Sequence, residues 1–352
     1  MPKVIAVCIG SFPPPVQGAA IINQKLREQL QGQGILVKTI DLSPGGRRGF
    51  GYHTTRLFRT LRGVVGILLA PGQRRYIMSL DGGGGLIYNL LLAAAMRVRG
   101  QRKLFYYHST KYLRSDNHLL RLLLKVGGDR TVHVACTSKM LSRLSSRYGV
   151  DVSGMVISNA AWIDIPQDWG ASASDVLRLG LLSGLTLEKG PARAIQTLRE
   201  LQCRGVKAEL IFAGAIQDRG TQTLLDDAKR EFGPAIRYAG IVTGEAKAAF
   251  YSGLDFFLFP SLYRHETQSL VVPEALAAGV PVIAFDHEFV GEIVGEGGHL
   301  ISAQEDFAVR AADWILEGNA TARREKARAQ LRHLHGQAKG QICNILDWVR
   351  GP

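Results

Sequence analysis

Short apolar runs alternate with longer segments of three- and four-residue apolar spacing along most of this chain. Lys3–Ile9, Leu36–Asp41, Tyr76–Leu80, Lys103–Tyr107 and His133–Thr137 read as strands. Ala19–Gln31, Leu86–Arg99, Leu119–Val126 and Lys139–Tyr148 read as helices. The pattern lapses over Asn159–Asp175, which carries Pro166, Gly170 and the small polar run Ala171–Ser174, and reads as a linker. It then restarts. Strands Leu177–Leu182, Ala208–Ala213, Ile236–Ala239, Phe256–Phe259 and Val280–Ala284 alternate with helices Pro191–Gln202, Thr221–Glu231, Glu245–Tyr251, Leu270–Ala278 and Phe307–Glu317. The tail Ala320–Val349 is helical in pattern and rich in Arg and Lys. Such alternation predicts an α/β fold of two doubly wound, Rossmann-like parallel sheets. The boundaries expected are 1–165, 166–335 and a helical tail 336–352. Ligands of such sheets bind beyond the carboxyl ends of the strands, which points to a cleft between the two domains.

At 352 residues the chain has room for two domains, and 46% hydrophobic with 21% charged residues excludes disordered, collagen-like and coiled-coil classes. Four scattered cysteines give neither a disulfide framework nor a zinc site, so a reducing cytosol is expected. The charge is uneven. Residues 1–165 hold 23 Lys and Arg against 7 Asp and Glu, a net of +16, while the remainder carries −3. A basic half calls for an anionic partner: nucleic acid, a phosphate-bearing substrate or an anionic membrane surface. Val4–Gly10 is apolar but runs into Phe12-Pro13-Pro14-Pro15 without a cleavage site, which suits a strand better than a signal peptide. Leu86–Met96 is too short to span a bilayer. The chain is therefore expected to be soluble or to meet a membrane from one side.

One stretch suits that second option. Leu57, Leu61, Val64, Val65 and Leu68 share a helical stripe, with Arg56, Arg59 and Arg62 off it and Arg47, Arg48, Arg74 and Arg75 flanking it. A basic amphipathic helix of this kind fits the interface of an anionic membrane. A surface helix packed on its own domain accounts for the same spacing.

Pro260–Ala284 is the segment richest in chemistry. Glu266 lies in a polar loop after strand Phe256–Phe259, a helix starts near Ser269 or Leu270, Glu274 falls in its first turns, and Gly279 suits its C′ position. Free N–H groups around Gln268, Ser269 and Leu270 make an anion site suited to a diphosphate. A carboxylate on each side can accept hydrogen bonds from sugar hydroxyls. On spacing alone, a solvated Glu266 and a Glu274 that favours the positive helix end account for the pattern equally well.

Glu266 and Glu274 have seven residues between them and are followed by Ala-Leu-Ala-Ala-Gly-Val-Pro-Val-Ile-Ala. This resembles the E-x7-E signature of glycosyltransferase family 4, the group 1 retaining glycosyltransferases of the GT-B fold. The resemblance covers most of the chain, weakly over residues 40–100 and strongly over 176–298. It implies that Glu266 contacts the donor sugar, that Glu274 holds the ribose of the nucleotide, and that Gln268, Ser269 and Leu270 offer backbone amides to the diphosphate and sugar. Ser183-Gly184-Leu185-Thr186-Leu187-Glu188-Lys189-Gly190 is similar to the family segment ending in Glu-Lys-Gly, whose lysine contacts the diphosphate. Gly184 stands where many relatives carry an arginine. The loop Gly10–Ala20 resembles the one that lies over the donor phosphate, with Gly18 permitting close approach, and His108 resembles a first-domain histidine near sugar and acceptor. The implied catalytic set is His108, Lys189 and Glu266. The implied donor-binding set is Gly18, Gly184, Lys189, Gln268, Ser269, Leu270 and Glu274. In the family the C-terminal helix returns to the first domain.

The function this implies is retaining transfer of a hexose from a UDP- or GDP-linked sugar to a lipid-linked or saccharide acceptor in cell-surface polysaccharide synthesis. No cofactor or metal is implied, Asp-x-Asp being absent. The expected place is the cytoplasm, peripheral on the inner face of the membrane. A GT-B-fold binding protein with weakened catalysis is the alternative, motivated by Gly184. A basic nucleic-acid-binding protein is a further one, although no aromatic–basic interleaving or known module supports it.

Overall fold

A computed structural model describes residues 5–14, 17–45, 47, 49–149, 154–165, 175–287 and 289–351. Pro166, Gly170 and Ala171–Ser174 of the expected linker, and Lys3, Pro15, Val16 and Arg48, lie outside the described residues. The chain divides into two compact units. One comprises Met1–Trp162, His265–Thr267 and Gln337–Pro352, the other Ile163–Arg264 and Gln268–Gly336.

In the first unit β1 (Ile5–Gly10), β2 (Leu36–Asp41), β3 (Arg75–Leu80), β4 (Arg102–Tyr107), β5 (Thr131–Ala135) and β6 (Gly154–Val156) form a parallel sheet in the order β2-β1-β3-β4-β5-β6. The connections carry α1 (Gly18–Gly32), α2 (Phe50–Leu68), α3 (Leu86–Val98), α4 (Lys111–Arg114), α5 (His118–Gly127) and α6 (Ser138–Tyr148). Central strands are apolar in their middle because both of their faces are covered: Tyr76, Ile77 and Met78 of β3 and Leu104, Phe105 and Tyr106 of β4 are buried. Each such side chain contributes about 1.5–3 kcal/mol by leaving water. Helix starts follow the caps. The Asn117 side chain accepts from Leu120 N at 3.1 Å, and Thr137 Oγ1 accepts from Met140 N at 3.1 Å.

The second unit repeats the plan with β7 (Leu177–Leu182), β8 (Ala208–Ala213), β9 (Ile236–Tyr238), β10 (Phe256–Phe259), β11 (Val282–Phe285) and β12 (Gly298–Ile301), ordered β12-β11-β10-β7-β8-β9. Its helices are α7 (Pro191–Cys203), α8 (Arg219–Phe232), α9 (Gly244–Ser252), α10 (Val271–Ala277), α11 (Gly291–Val294) and α12 (Phe307–Leu316). Leu179, Leu198, Leu210, Phe212, Leu258 and Ile283 centre the core. Finally α13 (Ala320–Arg350) starts in the second unit, and its residues from Gln337 onward belong to the first. There Arg350 Nη2 donates to Gln33 O at 3.2 Å, Ser158 N donates to Gln341 Oε1 at 2.9 Å, and the Arg75 guanidinium lies over the Trp348 ring.

The short elements β6, α11 and β12 have no counterpart in the sequence pattern, being too brief to show a period. A larger difference concerns α2. Its buried side is Arg56, Thr60, Gly63 and Ile67, whereas Leu57, Leu61, Val65 and Leu68 face outward. The reason is steric. A Cβ on Gly63 would meet Ile40 Cγ2 at 2.9 Å and Leu92 Cδ2 at 3.0 Å, so the glycine side is the one that closes on β2 and α3. Arg56 and Arg59 are consequently not free surface charges. Arg56 Nη2 pairs with Asp81 Oδ2 at 2.5 Å, and Arg59 Nη1 pairs with Asp41 Oδ2 at 2.5 Å. The flanking Arg75 is buried as well.

Candidate functional site

In each sheet the strand order reverses at one point, and ligands of open α/β sheets sit beyond the carboxyl ends of the two strands that flank it. In the second unit that point lies between β7 and β10, which are neighbours. The residues following these two strands are the ones singled out for the donor. After β7 come Ser183, Gly184 and a short 3-10 turn, Leu187–Lys189. After β10 comes the loop that leads to α10.

Two glycines make this end of the sheet possible. Gly190 has φ +80°, and a Cβ there would lie 2.3 Å from Pro260 O. The turn after β7 thereby presses on the end of β10, and Leu262 N donates to Glu188 O at 3.0 Å. Lys189 Nζ comes to 4.5 Å from the Tyr263 ring centroid, a cation–π contact. Gly214, φ +107°, plays the same part on the other side. A Cβ there would collide with Ser183 O, so the Ser183–Gly184 turn is held by backbone contact. Ser183 Oγ is buried without a hydrogen-bond partner, which no spacing in the sequence signals. Gly184 itself is exposed; a Cβ there would meet nothing nearer than Gln217 Nε2 at 3.4 Å.

The helix after β10 starts at Val271, and Glu274 N makes an early helical hydrogen bond to Leu270 O at 3.1 Å. Pro273 therefore sits in the first turn, where its missing N–H costs nothing. Gln268 and Leu270 are buried and Ser269 is half-buried just before the helix. Glu274 is engaged on both carboxylate oxygens. Lys247 Nζ of α9 lies 2.5 Å from Oε1, and the Tyr251 hydroxyl donates to Oε2 at 3.0 Å. Burial, followed by the Glu274 charge, pushes the Tyr251 phenol well above its ordinary value, so it stays a donor. Lys247 and Tyr251 are a helical turn apart and could have been found only by knowing that α9 packs beside α10.

The polar loop after β10 is divided. Pro260–Arg264 and Gln268–Leu270 belong to the second unit, whereas His265–Thr267, with the buried Glu266, belongs to the first.

The first unit reverses its order between β1 and β3. Gly10 ends β1, and a Cβ on it would lie 2.6 Å from Asn23 Nδ2 and 3.0 Å from Ser79 Cβ. Asn23, one turn into α1, donates from Nδ2 to Ser11 O at 2.9 Å, which turns its Oδ1 toward Ser79 at the end of β3. Ser79 Oγ donates to that oxygen and lies 3.1 Å from Nε2 of His108, the residue after β4. Since the serine proton is committed to Asn23, His108 must donate from Nε2 and keep its lone pair on Nδ1. The ring also packs on Tyr106 with centroids 4.2 Å apart. Burial lowers the His108 pKa to about 4, so the imidazole is neutral near pH 7. Gly18 is exposed and opens α1 beyond the same strand end. Asn23 and Ser79 carried no signal in the sequence.

Residues 176–317 match the family described as glycosyl transferases group 1. A GDP-mannose-dependent alpha-mannosyltransferase of Mycolicibacterium smegmatis is 32% identical over 139 residues, which is 39% of this chain and 32% of that protein. The alpha-monoglucosyldiacylglycerol synthase of Streptococcus pneumoniae is 25% identical over 191 residues, 50% of this chain and 42% of that protein. The matched region thus spans less than half the length of either curated relative. Among solved structures, the Anabaena protein Alr3699/HepE in complex with UDP has a TM-score of 0.68 at 16% identity, over 97% of this chain and all of that one.

Proposed function

We propose that this chain, whose residues 176–317 match the group 1 glycosyltransferases and which has the GT-B fold, is one of them and moves a hexose from a nucleotide-linked sugar to a lipid-linked or saccharide acceptor with retention at the anomeric carbon. The observation that carries this reading is the assembly at the β7/β10 reversal point, with Lys189 after one strand and Glu274 on the helix after the other. Lys189, the Ser183 hydroxyl and the amides of Gln268–Leu270 receive the diphosphate, a cation and neutral donors against a leaving dianion. Glu274, held by Lys247 and Tyr251, accepts from the ribose. Glu266 accepts from hydroxyls of the sugar. Gly18 lets the β1–α1 loop come close to the donor. In the reaction the bond from the anomeric carbon to the phosphate oxygen breaks, and the acceptor oxygen bonds to the same face. The acceptor proton passes to the departing phosphate oxygen. His108, neutral and with Nδ1 free to accept, positions a hydroxyl of the sugar or acceptor.

The reading needs no resident metal or cofactor. The donor is UDP- or GDP-linked; the relatives named above include a GDP-mannose enzyme and a UDP complex. Among the described residues no helix is long and apolar enough to cross a membrane. Attachment to the inner face of an anionic membrane fits the +16 of residues 1–165. Thermal-shift screening against nucleotide sugars tests the function, because a ligand at about 100 times its Kd adds about 2.7 kcal/mol. Stabilisation by one nucleotide sugar, followed by its transfer to an acceptor, is the expected result. A protein that no nucleotide sugar stabilises and that transfers nothing is not this enzyme.

A further inference from the structure

Helix α2 turns its apolar stripe away from the molecule. Phe50 is 85% exposed, Phe58 67% and Leu69 77%, and Leu57, Leu61 and Val65 lie between them on the same side. Such a continuous outward apolar stripe calls for a cover. Residues of the edge strand β2 and of the carboxyl-terminal half of α2 line a cavity of about 640 Å³ within the first unit. Gly66 opens that space, since a Cβ on it would touch nothing within 4 Å. Lys38, Arg59, Arg62 and Arg74 line the cavity. Asp41 neutralises Arg59, and the other three carry unbalanced positive charge into it. The Tyr76 hydroxyl, which also lines the cavity, is buried beside the Arg74 guanidinium. Leu69 belongs both to the cavity wall and to the outward stripe.

We propose that this cavity is a subsite for the phosphate of an anionic phospholipid, entered while the outward face of α2 lies among the acyl chains. Two arginines and a lysine lining one cavity suit a phosphate, which guanidinium groups bind in pairs of hydrogen bonds. The volume suits a glycerophosphate headgroup. A soluble phosphate accounts for the cavity but leaves the stripe uncovered. A second copy of the chain covers the stripe but leaves the positive charge unmatched. A lipid answers both, since it brings an anion and an apolar chain to adjacent places. This subsite rests on the peripheral placement given above and is independent of the sugar chemistry.

The test is flotation of the full chain with vesicles of phosphatidylcholine alone and with phosphatidylglycerol added, beside two double variants at exposed positions. Lys38→Gln/Arg62→Gln removes cavity charge, and Phe58→Ser/Leu61→Ser breaks the stripe. Expected is binding only to phosphatidylglycerol vesicles. The cavity variant should weaken it about 30-fold, two basic residues at roughly fivefold each. The stripe variant should weaken binding even at low salt, and nucleoside diphosphate affinity should be unchanged in both. A wild type that floats while the cavity variant floats equally well overturns the subsite but keeps the membrane. A wild type that never floats, with inorganic phosphate raising its Tm, overturns the lipid in favour of a free phosphate. Dimerisation that the stripe variant abolishes, without flotation, assigns the face to a second copy and overturns the proposal.

Discussion

Lys247 Nζ lies 2.5 Å from Glu274 Oε1, so the carboxylate read as a ribose ligand already has a cation beside it. A ribose hydroxyl would meet an acceptor whose position is set before the donor arrives. Glu274→Gln should weaken nucleoside diphosphate binding by about 1.5–3 kcal/mol, the worth of hydrogen bonds to a charged group. A double-mutant cycle with Lys247→Ala, read by calorimetry, separates binding from pairing. If the Glu274→Gln loss vanishes in the Lys247→Ala background, the carboxylate serves the lysine and not the ribose.

The two glycines near Lys189 should behave oppositely. Gly184→Arg should leave the fold intact, because the position is exposed and a Cβ there meets only Gln217 at ordinary distance, and it should tighten diphosphate binding by about 1.5–3 kcal/mol. Gly190→Ala should destabilise strongly, since it places a Cβ 2.3 Å from Pro260 O at a φ of +80°. Urea midpoints for both, with nucleotide titrations of Gly184→Arg, check this. An arginine at 184 that folds but binds no tighter argues that the diphosphate is not placed beside it.

Lys189→Ala and Glu266→Ala should divide the donor between them. The lysine variant should lower kcat with Tm nearly unchanged, through loss of a charge against the leaving phosphate. The Glu266 variant should bind nucleoside diphosphate almost normally and transfer poorly. Equal loss of affinity for diphosphate and nucleotide sugar in Glu266→Ala contradicts that division.

Stability should fall on the acid side of neutrality. Burial lowers both His108 and His133 from 6.5 to about 4. The unfolded chain takes up protons below pH 6.5 that the folded one refuses. Stability is therefore whole above pH 6.5 and is lost as pH falls toward 4, at about 1.4 kcal/mol per pH unit for each histidine. His133→Gln should remove half of that slope in urea midpoints taken between pH 7 and 5. A slope unchanged by the substitution assigns the acid loss to other groups.

Much of the fold could be read along the chain because local pattern and tertiary role agree there. Phe256–Phe259 is a strand at the bounds its apolar run predicts, and Leu36–Asp41, Leu177–Leu182 and Ala208–Ala213 likewise. Phe256–Phe259, Leu177–Leu182 and Ala208–Ala213 are legible because strands inside a parallel sheet are mostly buried on both faces, whereas Leu36–Asp41 is an exposed edge strand. Spacing and family signature pointed to Lys189 and His108 after strands and to Glu274 on a helix that follows one. Their partners were not legible. Asn23, Ser79 and His108 are 56 and 29 residues apart in sequence, and Lys247 is 27 from Glu274. No local period reports contacts across such distances.

Helix α2 marks the division most clearly. The spacing of Leu57, Leu61, Val65 and Leu68 determined that these residues share one face, and the spacing of Arg56, Thr60, Gly63 and Ile67 that they share another. Which face turns inward was decided only in the folded unit. Asp81 waits for Arg56 and Asp41 for Arg59, and Ile40 and Leu92 leave room for a glycine but for nothing larger. A helical period is symmetric under rotation of the helix about its axis, and only the surface it packs against breaks that symmetry.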